Sequence, residues 1–159
     1  MKALGGTAAT TVAATRQACF ELAAAVDGYP GWYPEVIRSA EVLERDAAGR
    51  PARARTTVHV AVARFVRDFE LLMDVALEEG QEVRLIRVAN EPSDPERFVV
   101  TWRIASDPAT RLELELAANL DVPRLVPLGG LGDRLAQGFV DAAKRALEGS
   151  SPNASANSS

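Results

Sequence analysis

Between Val36 and Leu120 apolar and polar residues alternate with a period near two, and on either side of that stretch apolar residues recur every three or four positions. The period-two region breaks into six candidate strands: Val36 to Asp46, Ala52 to Ala63, Val66 to Leu77, Glu82 to Ala89, Arg97 to Ser106 and Arg111 to Leu120. Four separators, Ala47 to Pro51, Glu78 to Gln81, Asn90 to Pro95 and Asp107 to Thr110, carry the Gly, Pro, Asn and Asp that tight connections use. Links this short join antiparallel neighbours, because a parallel crossover needs about a dozen residues. The sheet is therefore expected to be a meander. Its apolar face is clearest in the last strand, where Leu112, Leu114, Leu116 and Ala118 oppose Arg111, Glu113, Glu115 and Asn119. By the same alternation Phe98, Val100, Trp102 and Ile104 share one face of their strand, and Phe69, Leu71, Met73 and Val75 one face of theirs. Val58, Val60 and Val62 oppose Arg55, Thr57 and His59. The strands at Val36 and Glu82 are apolar on both sides, and the pattern does not assign their faces.

Thr7 to Ala14, rich in Thr, Val and Ala, reads as a first strand, and helical spacing follows it in Cys19, Leu22, Ala23 and Val26. Gly28 and Pro30 stop that helix. Asp27 to Pro34 then holds three aromatics, two prolines and two glycines, an aromatic corner. At the other end Leu128, Leu131, Leu135, Phe139, Ala142, Ala146 and Leu147 recur at helical spacing against Asp133, Arg134, Asp141, Lys144, Arg145 and Glu148. A closing helix is expected over Pro127 to Gly149, with Pro127 in its first turn and Gly149 past its last. The run Gly129-Gly130-Leu131-Gly132 weakens its start, since a glycine inside a helix costs roughly 0.5–1 kcal/mol relative to alanine. A twisted sheet needs cover on its concave side, and this one-sided helix supplies it.

Composition narrows the class without changing the elements. With 159 residues, 47% apolar and 25% charged, the chain is expected to form one globular domain over residues 1–149, followed by a disordered Ser, Asn, Ala and Pro tail at 150–159. A net charge of −4 offers no basic field, so nucleic acid is not an expected partner. The single cysteine, Cys19, allows no internal disulfide, the first residues lack the apolar run of a signal peptide, and no segment reaches the ~20 apolar residues of a membrane span. A cytoplasmic location is expected. Oligomeric state is left open.

The chemistry-bearing residues are few. One His and one Cys, forty positions apart, make no metal site, and no cofactor is expected. His59 reads as a solvated strand histidine and Cys19 as a small buried thiol. The glycine run lacks the Lys-Ser/Thr of a phosphate loop and is read as a helix entry with space beside it. No nucleophile, base and orienting group come together in the sequence.

The order of strand, helix, aromatic corner, six antiparallel strands and closing helix resembles the helix-grip fold of the START and polyketide-cyclase superfamily, also called the SRPBCC superfamily. The residues that carry the likeness are Asp27 with Tyr29-Pro30, Trp32 and Pro34, the strand Val36 to Arg45, and Trp102-Arg103-Ile104. The resemblance covers about residues 7–149 and implies an α+β fold with a curved antiparallel sheet wrapped around a long C-terminal helix. It also implies an internal cavity flanked by the aromatic corner and the glycine-rich helix entry. The superfamily uses that cavity for carriage, sensing and catalysis, and a shared fold does not carry a shared reaction.

Residues expected to contact a ligand there are Trp32, Tyr33, Val58, Val60, Phe69, Leu71, Met73, Val100, Trp102, Leu114, Leu131, Leu135 and Phe139, with Tyr33, Thr56 or an arginine near Arg64 as candidate inward polar groups. At about 0.8 kcal/mol per buried methylene, an eight-carbon apolar segment contributes roughly 6 kcal/mol before association costs. The first reading is thus a binder or carrier of a lipid, an isoprenoid quinone or a polyketide-like molecule. An aromatase or cyclase that folds a poly-β-ketone, with one buried polar residue moving a proton, is the second. A toxin-type interaction module with an exposed apolar patch is the third.

Overall fold

The computed structural model describes residues 2–89, 91–106, 108–123, 125 and 127–149. The tail at 150–159, and Asn90 and Asp107 of two expected turns, lie outside the described residues. Seven strands form one antiparallel sheet: β1 (Lys2–Val12), β2 (Ile37–Arg45), β3 (Pro51–Val62), β4 (Phe65–Glu78), β5 (Glu82–Arg87), β6 (Arg97–Ser106) and β7 (Thr110–Leu120). Their spatial order is β1-β7-β6-β5-β4-β3-β2, a meander from β2 to β7 with the first strand added beside the last. Three helices complete the fold: α1 (Arg16–Ala24), the one-turn α2 (Tyr29–Trp32) and α3 (Leu131–Gly149). The arrangement is the helix-grip fold, with α3 packed on β1 and β7.

Period-two patterning set the strand faces as expected. Leu112, Leu114, Leu116 and Ala118 are buried between exposed or half-buried neighbours, as are Val58, Val60 and Val62. The open strands differ in kind. β5 buries Val83 and Leu85, whereas β2 is an edge strand that buries only Ile37 and breaks register at three places. Those bulges and its charged side chains blunt an edge whose backbone would otherwise invite another strand.

Two elements start several residues away from where the pattern puts them. The first strand starts at Lys2, not Thr7, although Ala3, Gly5 and Gly6 have no preference for extended chain. Pairing with β7 imposes it, residue for residue from Lys2 opposite Leu120 to Val12 opposite Thr110. Ala13 and Ala14 then turn the chain into α1, where the Thr15 hydroxyl accepts from the Ala18 amide at 3.0 Å and caps the helix. The closing helix starts at Leu131, not Pro127. Gly130 has φ +76, a left-handed conformation that cannot lie inside a right-handed helix.

Gly132 narrows the expectation of space beside the helix entry, which holds at Gly129, where an added Cβ would meet nothing within 4 Å, and fails one turn on. A Cβ built on Gly132 would stand 2.0 Å from the Gly5 carbonyl oxygen, and one on Gly6 would stand 2.2 Å from the Gly132 carbonyl carbon. The start of α3 therefore rests backbone on backbone against β1. Side chains of α3 also satisfy the free edge of β1: Asp133 accepts from the Thr7 amide, Lys144 donates to the Thr11 carbonyl, and Glu148 accepts from the Ala13 amide.

Candidate functional site: an aromatic cluster beneath the closing helix

The corner residues do not form a loop. Val26–Gly28 makes a single 3₁₀ turn, α2 follows at once, and together they turn the aromatic side chains toward α3 and β6. Five rings meet there. Tyr29 and Trp32 have centroids 4.8 Å apart, Tyr33 and Phe139 4.7 Å, and Trp102 lies edge-on to both Trp32 (6.3 Å) and Phe139 (6.0 Å). Tilted and edge contacts of this kind contribute beyond the area they bury. Gly138 fits the cluster to the helix, since a Cβ there would stand 2.1 Å from the Tyr33 hydroxyl.

Polar tips inside the cluster are unequally served. Tyr29, 1% exposed, donates its hydroxyl to the Ala23 carbonyl at 2.6 Å and accepts from Trp102 Nε1–H at 2.9 Å. Trp32 Nε1 is buried and has no hydrogen-bond partner among the described residues. Burial holds the Tyr29 phenol far above its ordinary range and pushes the Tyr33 phenol up to about 12, helped by the charges of Glu35 and Asp141. Burial likewise pushes the Cys19 thiol up to about 11. All three are protonated at neutral pH, so none is an activated nucleophile or base.

The expected site residues fall as follows. Trp32, Tyr33, Trp102 and Phe139 come into ring contact. Val58, Val60, Phe69, Leu71 and Met73 lie on the core faces of β3 and β4, Val100 and Leu114 on those of β6 and β7, and Leu131 and Leu135 on the buried side of α3. All belong to one apolar core, with Trp32 half-buried at its margin. Thr56 is buried there too, its hydroxyl donated to the Leu71 carbonyl at 3.3 Å. Arg64 is not inward. It occupies the tip of the two-residue turn between paired Val62 and Phe65, and is exposed.

His59 is not freely solvated, because its cross-strand partner Asp68 holds Nδ1 at 2.6 Å. Among the described residues no three His, Cys, Asp or Glu side chains converge as metal ligands would, and the large exposed apolar side chains are Leu43, Val66 and Leu125, on separate elements. No described helix is long and apolar enough to cross a membrane.

Two residues escaped the sequence reading. Tyr29, the centre of the buried hydrogen-bond relay, could not be told from its neighbours Trp32 and Tyr33 by pattern. Arg67 could have been found, because alternation puts it on the face of Phe69, Leu71 and Met73, and its guanidinium lies 4.0 Å from the Phe69 ring centroid.

Comparison with known proteins agrees with this geometry. A START superfamily protein from Mycobacterium smegmatis superposes with TM-score 0.67 at 19% identity, over 92% of this chain and 97% of that one. The Zhui aromatase/cyclase from Streptomyces sp. R1128 gives 0.68 at 19%, over 93% and 95%. TTHA0849 from Thermus thermophilus gives 0.64 at 21%, over 92% and 99%. At these identities the likeness is one of fold. No curated protein sequence matches the chain. The family described as polyketide cyclase / dehydrase and lipid transport matches residues 12–144, most of the chain, and this protein belongs to it.

Proposed function

We propose that this protein binds and carries a hydrophobic small molecule, of the lipid, isoprenoid-quinone or polyketide-like class, between α3 and the concave face of the sheet, with the ring cluster as its wall. One observation carries the reading: Trp32 presents a buried indole N–H with no partner among the described residues, beside Tyr29 and Trp102, whose buried donors are engaged. Leaving such a donor unpaired costs on the order of 1–3 kcal/mol, which a ligand carbonyl placed against it would recover. The apolar core faces supply area, and the lone donor supplies orientation. Protonated Tyr33 and Cys19 favour binding over covalent chemistry.

Native mass spectrometry of protein taken directly from cells should show a co-purified hydrophobic molecule. A matched pair of probes tests the role of Trp32. Menadione and 2-methylnaphthalene share a scaffold and differ in the two carbonyls. Trp32→Phe should weaken menadione about tenfold and 2-methylnaphthalene much less, as loss of one buried hydrogen bond implies. Equal weakening of both would reduce Trp32 to an apolar wall. The cyclase reading stands second, on the fold it shares with an aromatase/cyclase. Conversion of a poly-β-ketone that Tyr33→Phe abolishes would bring it to the front.

A further inference from the structure

The outer face of the sheet is covered unevenly. On its β2–β4 half, long side chains pair across the strands, Arg53 with Asp74 and Glu44 and Arg55 with Glu41 and Glu70. On the other half one transverse row is bare. Ile86, Val99, Ala117 and Gly5 stand opposite one another on β5, β6, β7 and β1, each between core-facing neighbours, so the row lies on the outer face. Two residues away along the strands are taller rows, Arg84, Thr101 and Glu115 on one side and Arg97 and Asn119 on the other. The hollows that these residues line meet at Val99 and Ala117. At a rise of about 3.3 Å per residue the two walls stand about 13 Å apart, and four strands about 4.8 Å from one another make a floor about 14 Å long. An α-helix with its side chains is about 10–12 Å across and advances about 5.4 Å per turn, so between two and three turns fit across the strands.

The walls of this groove hold polar groups that the chain itself does not use. Thr101 is 5% exposed and lines the groove, and its hydroxyl makes no hydrogen bond among the described residues. Arg84 and Arg97 are exposed and have no ion-pair partner among the described residues. Arg103, one row further on, pairs with Glu82, Glu113 and Glu115, so the carboxylate of the first wall is already engaged. Two free guanidinium groups thus face each other across an apolar floor, on a chain whose net charge is −4. Carboxylates on either side of an apolar helical stripe match that layout. A second copy of this chain offers no such helix. The carboxylates of α1 and α3 are engaged, Glu21 by Arg50, Asp133 by the Thr7 amide, Asp141 by Gln137 and Glu148 by Lys144. Both helices also expose arginines, Arg16 on α1 and Arg134 and Arg145 on α3, which would meet like charge in the groove.

We propose that the outer face of β5, β6, β7 and β1 docks an acidic amphipathic helix of another protein. The apolar stripe of that helix lies on Val99 and Ala117, its carboxylates pair with Arg84 and Arg97, and the Thr101 hydroxyl bonds a polar side chain between them. The groove is on the opposite face of the sheet from α3 and the ring cluster, so docking and the binding of a small molecule inside do not compete.

A pair of fluorescein-labelled, hydrocarbon-stapled helices of about three turns tests the groove. Both carry an Ala and Leu stripe, flanked by Glu in one peptide and by Lys in the other. Fluorescence anisotropy should show saturable binding of the Glu peptide and none of the Lys peptide. Arg84→Glu and Arg97→Glu should each weaken the Glu peptide about fivefold, and the wild-type affinity should fall as salt rises from roughly 0.05 to 0.5 M. Ala117→Arg, which fills the floor from an exposed position, should abolish binding. Arg16→Glu changes the net charge as much as either wall reversal and should leave the affinity unchanged. In the wild type, amide NMR shifts on adding the Glu peptide should cluster on Ile86, Val99, Thr101 and Ala117, a readout that needs no variant to fold. Equal binding of the two peptides, no binding of either, or shifts that cluster elsewhere would overturn the proposal. So would self-association of the wild type in sedimentation that Ala117→Arg removes, because the occupant would then be a second copy.

Discussion

At the scale of single residues, glycine at three positions marks where one part of the chain meets another. Gly6 and Gly132 let β1 and α3 touch through their backbones, and Gly138 leaves space for the Tyr33 hydroxyl. The neighbour of Gly132 is backbone, which cannot swing aside. Gly132→Ala must therefore push the helix off the strand, at about 2–3 kcal/mol, and lower the thermal midpoint by roughly 10 °C. Gly5→Ala is the control. Its Cβ would meet only the Leu116 carbonyl oxygen, at an ordinary 3.5 Å, and circular dichroism melts should show it close to wild type. The same close approach explains why the glycine run weakens the helix on paper and stabilises its docking in the fold.

At the scale of elements, the hairpin between β3 and β4 contains a local conflict. Ala63 has φ +52, the left-handed region that costs an L-residue roughly 1 kcal/mol or more, while its neighbours Val62 and Phe65 pair in unbroken register. The long ladder overrides the preference of one residue. Ala63→Gly should therefore stabilise the protein by about 0.5–1 kcal/mol, visible as a shift in urea midpoint with unchanged slope, and Ala63→Val should move it the other way. Elsewhere the elements agree with their sequences. α1 has its Thr15 cap, and Arg50 from the β2–β3 turn pairs with Glu21 and Glu79 and lies over Phe20, fastening the helix to two turns at once.

At the scale of the molecule, the interior holds one thiol and two phenols in their neutral forms, which sets how the fold responds to alkali. Cys19 is raised from an ordinary 9.0 to about 11 and Tyr33 from 10.0 to about 12, with Tyr29 shifted in the same direction. A raised acid keeps its proton in the folded state after the unfolded chain has lost it. Stability is then fully present below pH 9 and declines as pH rises from 9 toward 12, the thiol contributing first and the phenols above 10. Denaturant midpoints taken across that range should fall, and Cys19→Ala should flatten the first part of the decline. A flat profile in the wild type would mean that these groups titrate as they do in water.

What the sequence determined by itself is whatever depends on near neighbours: the periods of two and near four, the apolar face of each well-patterned strand, the turns, and the aromatic corner before the first meander strand. What only the tertiary structure decided depends on residues far apart in the chain. Trp102 reaches Tyr29 across 73 positions while the Trp32 indole N–H finds no partner among the described residues, and Arg67 reaches Asp121 across 54. Lys2 to Gly6 become a strand only because β7 lies beside them, and the helix start closes on that strand only because two glycines face each other. Pattern reports which side of an element avoids water. It holds no information on which distant group that side will meet, because that choice is made by packing and by which buried donors find acceptors.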